Sequence, residues 1–135
     1  MYDVIVIGAG PAGLQAALTL GRMHRSALLL DSGEYRNSTV LHMHNVAAND
    51  GTAPAEFRAS ARAQLAEYAD IEVRDARVER ITGEQGAFSV TLADGATVEA
   101  RRIVLATGMA DELPAIPGLQ EVWGIGAFSC PFCDG

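Results

Sequence analysis

The chain has 135 residues, enough for one domain with a sizeable core, and 49% hydrophobic against 20% charged residues separates it from disordered sequences. Its formal charge of −7 argues against nucleic acid and anionic membrane as partners, because both need a basic face. No apolar run approaches the roughly 18 residues of a membrane span and no basic leader precedes Met1-Tyr2-Asp3, so the expected location is the cytoplasm.

Residues 2–7 (Tyr-Asp-Val-Ile-Val-Ile) form an apolar, β-branched run that predicts a strand buried on both faces. A glycine loop follows at once, Gly8-Ala9-Gly10-Pro11-Ala12-Gly13. Leu14, Ala17, Leu18 and Gly21 then recur at helical spacing, which predicts a helix over 12–24. Ser26 to Leu30 reads as a second buried strand ending at Asp31, completing a β-α-β unit of the size one right-handed crossover needs. Residues 32–51 carry no period, and a loop of that length inside a domain is more often functional than passive. Thr52 is the expected cap of a helix with Pro54 in its first turn and an apolar stripe of Phe57, Ala61, Leu65 and Tyr68.

From Ile71 the period shifts towards two. Ile71 and Val73, Val78 and Ile81, then Phe88, Val90 and Leu92 alternate with polar residues, with turns at 83–86 and at Asp94-Gly95, before Thr97 to Ala100 returns. The pattern predicts an antiparallel meander. Ile103 to Ala106 reads as a buried run that rejoins the parallel sheet, and the proline-bearing stretch from Leu113 to Gly118 reads as a linker. The predicted fold class is therefore α/β, a parallel sheet with a β-meander.

The glycine loop sits where a dinucleotide site requires it, directly after a buried strand and opening a helix. Gly8 permits the tight turn, Gly10 lets backbone approach a pyrophosphate, Gly13 lets helix and strand pack closely, and the helix start offers N–H groups to phosphate. Asp31, about 20 residues on, is placed to accept a ribose hydroxyl. The competing reading is a plain strand-turn-helix whose glycines serve packing, and the pattern does not separate FAD from NAD. Near the other end stands Ser129-Cys130-Pro131-Phe132-Cys133-Asp134-Gly135. The short spacing suits a redox couple in which one thiolate attacks and the other resolves. A zinc site would need two more ligands; His42 and His44 are the available pair, in the wrong spacing and context for a common finger, so no metal is expected. Asp134 is either a proton carrier for a leaving thiolate or a helix cap.

With the loop, Asp31, the meander, Ala106-Thr107-Gly108 and the cysteine motif in this order, the chain resembles the low-molecular-weight thioredoxin reductase family along essentially all of its length. The resemblance implies a Rossmann-like FAD domain over 1–113, followed at 114–135 by a linker and the start of a second nucleotide and disulfide domain. Chain beyond these residues is expected, because family members do not end within the cysteine motif. FAD would meet Gly8, Gly10, Pro11, Ala12 and Gly13 at its pyrophosphate, Asp31 at the adenosine ribose, and the backbone of Thr107 and Gly108. Cys130 would be the interchange thiol, Cys133 the flavin-facing thiol, and Asp134 the proton donor and acceptor. NADP(H) is implied as electron partner, through a site absent from this chain, with a thioredoxin-like protein as substrate and a homodimer as the assembled form. The run from Asp31 to Asn37, with His42-Met43-His44-Asn45, is similar to the branch of dithiol oxidases that pass electrons from FAD to oxygen. There Arg36 and Asn37 would touch the adenosine half, Asn45 would reach towards the isoalloxazine, and the histidines would be ordinary loop residues. A third expectation is a non-catalytic dinucleotide-binding fragment.

Overall fold

Strand β1 (Tyr2–Ile7) occupies the centre of one six-stranded sheet, as its unbroken β-branched run predicts. The computed structural model describes residues 1–134; Gly135, the last residue of the cysteine motif, lies outside the described residues. The other elements are α1 (Pro11–Arg22), β2 (Ala27–Asp31), α2 (Pro54–Leu65), β3 (Ile71–Asp75), β4 (Val78–Glu84), β5 (Ala87–Leu92), β6 (Thr97–Leu105) and the short α3 (Leu119–Val122). The strand order is β3-β2-β1-β6-β5-β4, parallel from β3 through β6 and antiparallel from β6 to β4.

Alternate residues of the parallel strands feed two cores. Val4, Val6, Ala27 and Leu29 pack under the helices with Leu14, Ala17 and Leu65. Ile5, Ile7, Leu28 and Leu30 point the other way and pack with Val90, Leu92 and Ala100 of the antiparallel strands. The meander is thus the lid of the second core. Its contribution is large, because each fully buried Val or Leu side chain stabilises by about 1.5–3 kcal/mol relative to exposure.

Four expectations are corrected. Ile71–Asp75 is not part of the meander: it pairs in parallel with β2, Ala27 facing Ile71 and Asp31 facing Asp75. Its alternating charges reflect its position at the sheet edge. Thr97–Ala100 and Ile103–Leu105 are one strand, whose first residues pair with β5 and whose later residues run beside β1 to Ile7–Leu105. The end of that strand is not buried; Val104 is 36% and Leu105 67% exposed, since α1 lies chiefly over β1 and β2 and no described element covers this corner. Finally, Ala53 rather than Thr52 caps α2, because the Thr52 carbonyl and N–H are spent on Met43 and Asn49. Tyr68, beyond the end of α2, still packs inward against Gly21.

Candidate active site

The three fingerprint glycines do different jobs. Gly8 has φ +103°, and a Cβ there would lie 2.2 Å from the Ala106 carbonyl oxygen, so the loop and the end of β6 can close on each other only without a side chain. A Cβ on Gly13 would lie 1.7 Å from the Gly8 carbonyl oxygen. Gly10 is different: its Cα faces open space, with nothing within 4 Å of a notional Cβ. Gly10 also caps α1 without a side-chain hydrogen bond, and the first turn carries no acid. Pro11 has no N–H and the Leu14 N–H already donates to the Gly10 carbonyl at 3.0 Å, so Ala12 and Gly13 hold the free N–H groups of the helix start.

Asp31 ends β2 and is 3% exposed. Its Oδ1 accepts the Gly33 N–H at 2.9 Å, and its Oδ2 accepts the Tyr35 hydroxyl and Arg62 Nη2, the latter at 2.7 Å. A carboxylate has about four acceptor positions, so Asp31 retains one, on the oxygen that holds only Gly33. Burial and the bond to Asp31 raise the Tyr35 pKa, keeping the phenol protonated. Arg62 also reaches Asp75 at 2.6 Å, while Arg58, one turn earlier on α2, stacks 3.6 Å from the centre of the Tyr35 ring and donates to Asn37 Oδ1 at 3.2 Å.

Arg36 forms a two-pronged pair with Asp111, both N···O distances 2.9 Å, and its Nη2 also reaches Ser129 Oγ at 3.3 Å. The hydrogen bond from Arg36 holds the Asp111 carboxyl below the usual carboxylate range. Asn45 adopts φ +62°, a left-handed conformation that Asn tolerates, and its N–H donates to Asp50 Oδ1 at 2.9 Å. His44 Nδ1 lies 3.3 Å from the same oxygen, and His42 Nδ1 lies 3.1 Å from the Gly51 carbonyl. The Asn45 N–H most, and then His44, hold the Asp50 carboxyl below the usual carboxylate range.

Cys130 and Cys133 are joined as a disulfide with Cα atoms 5.3 Å apart. The N–H groups of Cys133 and Asp134 turn back to the Cys130 carbonyl at 3.2 and 3.0 Å. This turn rests on the 32–51 loop: the His44 N–H donates to the Cys133 carbonyl at 2.8 Å, and Gly124 sits so close to Thr39 that a Cβ would lie 2.4 Å from its hydroxyl.

One cleft of about 830 Å³ gathers most of these residues. Gly8, Gly10, Pro11, Asp31, Arg36, Asn37, Asn45, Thr107, Gly108, Cys130, Cys133 and Asp134 all line it; of the expected site residues only Ala12 and Gly13 do not. Arg58, Arg62, Asp50, Asp111 and Ser129 were not among the residues expected from sequence. The only advance signal was that Arg58 and Arg62 are four apart on a helix otherwise short of cations, hence on one face.

A family model for pyridine nucleotide-disulphide oxidoreductases matches residues 2–134. A thioredoxin reductase of Aspergillus oryzae is 40% identical over 138 residues, covering 100% of this chain and 44% of that protein. A thioredoxin reductase of Claviceps purpurea is 41% identical, covering 100% of this chain and 43% of its own length. The crystal structure of an oxidoreductase from Agrobacterium tumefaciens superimposes with a TM-score of 0.94 at 45% identity, covering 98% of this chain and 45% of that one. The chain thus spans less than half the length of the curated relatives it matches. It belongs to the pyridine nucleotide-disulphide oxidoreductases, with the Rossmann-like α/β fold of relatives named thioredoxin reductase.

Proposed function

We propose that the protein is a FAD-dependent thiol–disulfide oxidoreductase that exchanges two electrons between the flavin and the Cys130–Cys133 pair. The observation that supports this most directly is a single cleft shared by the glycine loop, Asp31, both cysteines and Asp134. The residues present fit the cofactor. The uncapped, acid-free start of α1 turns its free N–H groups and positive end towards an anion, Gly10 leaves room for close approach, and Asp31 keeps one acceptor position for a ribose hydroxyl. The cleft volume falls in the upper range for small-molecule sites.

In this reading Gly8, Gly10 and Pro11 with the N–H groups of Ala12 and Gly13 hold the pyrophosphate, and Arg36 and Asn37 flank the adenosine half. Asn45 and the backbone of Thr107 and Gly108 border the flavin. When bound, FAD would supply the second two-electron carrier, the one that passes electrons to and from the cysteine pair. Cys130 attacks, or is attacked by, the external sulfur; Cys133 resolves the mixed disulfide and faces the cofactor; Asp134 carries a proton for the departing thiolate. Residues 1–113 form the FAD unit and 114–135 the linker and start of the second unit. NADP(H) is the proposed electron donor and a thioredoxin-like disulfide the proposed substrate, the latter following from the names of the relatives.

The test is turnover by the full-length protein, with FAD, NADPH and oxidised thioredoxin. Wild type consumes NADPH, and Cys133→Ser lowers the rate at least about a thousandfold, as expected for a residue in the covalent sequence. Full turnover in Cys133→Ser overturns the reading. Oxygen uptake driven by a small dithiol without NADPH assigns the reaction to a dithiol oxidase instead. Failure of the 135-residue chain to take up FAD makes this piece alone a binding module at most.

A further inference from the structure

Arg58 has no part in the scheme above, although it lines the same cleft. Of the three arginines on that cleft wall, two are neutralised by carboxylates, Arg36 by Asp111 at 2.9 Å and Arg77 by Glu34 at 2.6 Å. Among the described residues Arg58 has no ion-pair partner. A neutral amide and an aromatic face hold it instead: Nη1 donates to Asn37 Oδ1 at 3.2 Å, and the guanidinium carbon lies 3.6 Å from the centre of the Tyr35 ring. At that separation an edge-on guanidinium would press a nitrogen into the ring, so the group lies flat on the phenol. Tyr35 therefore covers one face of the guanidinium, and the bond to Asn37 fixes its rotation in the plane. What Arg58 offers the cleft is its other face, flat and already oriented.

This stack is tied to the carboxylate read above as the ribose acceptor. The Tyr35 hydroxyl donates to Asp31 Oδ2, and Arg62, one turn along α2 from Arg58, donates to the same oxygen at 2.7 Å. The acceptor position left on Asp31 Oδ1 is thus beside the layered phenol and guanidinium. An anionic group brought to this end of the cleft would meet Asp31, a carboxylate only 3% exposed. A planar, uncharged base meets no such repulsion, and its π face is attracted to a cation. We propose that the outer face of Arg58 is the platform for the adenine of FAD, completing a three-layer stack of phenol, guanidinium and base. Arg58 is then a specificity-determining residue, selecting the dinucleotide over FMN. The inference rests on the proposed FAD reading and adds the residue that recognises the end of the cofactor that does no chemistry.

The test titrates FAD and FMN separately into the full-length protein stripped of its flavin, following the quenching of flavin fluorescence. The two ligands share the isoalloxazine, the ribityl chain and one phosphate, and FAD alone carries the adenosine half. Wild type is expected to prefer FAD. Arg58→Met is expected to lower FAD affinity about tenfold and to leave FMN affinity unchanged, the loss that stacking on a held cation predicts. Arg58→Lys keeps the charge and gives up the plane; it is expected to lose at least about threefold in FAD affinity, and it decides the matter if Arg58→Met does not fold. Unchanged FAD affinity in Arg58→Met overturns the inference, and so does full affinity in Arg58→Lys, which would make the charge sufficient. Equal weakening of both flavins also overturns it, because Arg58 would then serve only the fold. A wild type that binds no FAD overturns the cofactor reading and this inference with it, whereas the other three failures leave that reading intact.

Discussion

A methyl group at Gly10 meets no protein atom within 4 Å, and the residue's φ of −72° suits any amino acid. Folding therefore does not explain glycine there, whereas the proposed cofactor site would. Gly10→Ala is expected to leave the thermal midpoint nearly unchanged while weakening FAD binding at least about tenfold, measured by quenching of flavin fluorescence. Gly13→Ala, whose Cβ would collide with the Gly8 carbonyl, is expected to lose about 1–3 kcal/mol or more in urea denaturation. Equal effects of the two changes on stability would refute the division of labour. The packing roles of Gly8 and Gly13 were legible in the motif spacing, because each is local. The partners of Asp31 were not legible, because Arg62 stands a loop and half a helix away, and only packing of α2 brings it to within 2.7 Å. Arg62→Met leaves a carboxylate that is 3% exposed without its cation, and about 1–3 kcal/mol of stability should go with it in the same assay.

Elements were legible from period, while their partners were not. Helix α1 and strands β1 and β2 stand within two residues of expectation because periodicity, glycine turns and Asp31 all mark their ends. Strand β3 was misassigned to the meander since alternation reports one wet face and says nothing of parallel or antiparallel pairing. The 32–51 loop had no period to read. Its order comes from long-range bonds, chiefly Arg36 to Asp111 and Ser129, which tie the segment after β2 to the segment before the cysteines. Asp111 has its pKa lowered by Arg36, so the pair's contribution is complete above Asp111's ordinary value of 3.8 and is lost as pH falls through the lower folded value. Trp123, the one tryptophan, lines the cleft beside this segment and reports on it. Its emission should shift to the red as wild type is acidified below about pH 4. Arg36→Ala should show the shifted emission already at pH 7 and lack the acid transition; an unshifted spectrum in that variant would deny the clamp.

The molecule as a whole sets a net charge of −7 against an uncovered apolar stretch. Leu105 is 67% exposed and Phe132 76%, and Met109, Ile116, Val122 and Ile125 are exposed between them. A parallel sheet is stable with both faces covered, and Val104 and Leu105, on opposite faces at the end of β6, are both exposed. Relatives more than twice as long as this chain have further polypeptide to place, and a sheet corner beside the cysteine segment is where apolar cover is missing. The 135-residue polypeptide by itself is therefore expected to bind an apolar dye and to self-associate with rising concentration. Salt decides between the two forces involved. Repulsion between acidic surfaces is screened over about 8 Å at 0.15 M, whereas apolar contact is not weakened, so adding salt should strengthen association, and an ionic contact would show the reverse. Leu105→Gln with Phe132→Gln should reduce dye binding and shift the sedimentation profile towards monomer, at a stability cost within about 0.5 kcal/mol because neither side chain belongs to a core. A wild-type polypeptide that stays monomeric and dye-free at high concentration in salt would mean that this corner needs no cover.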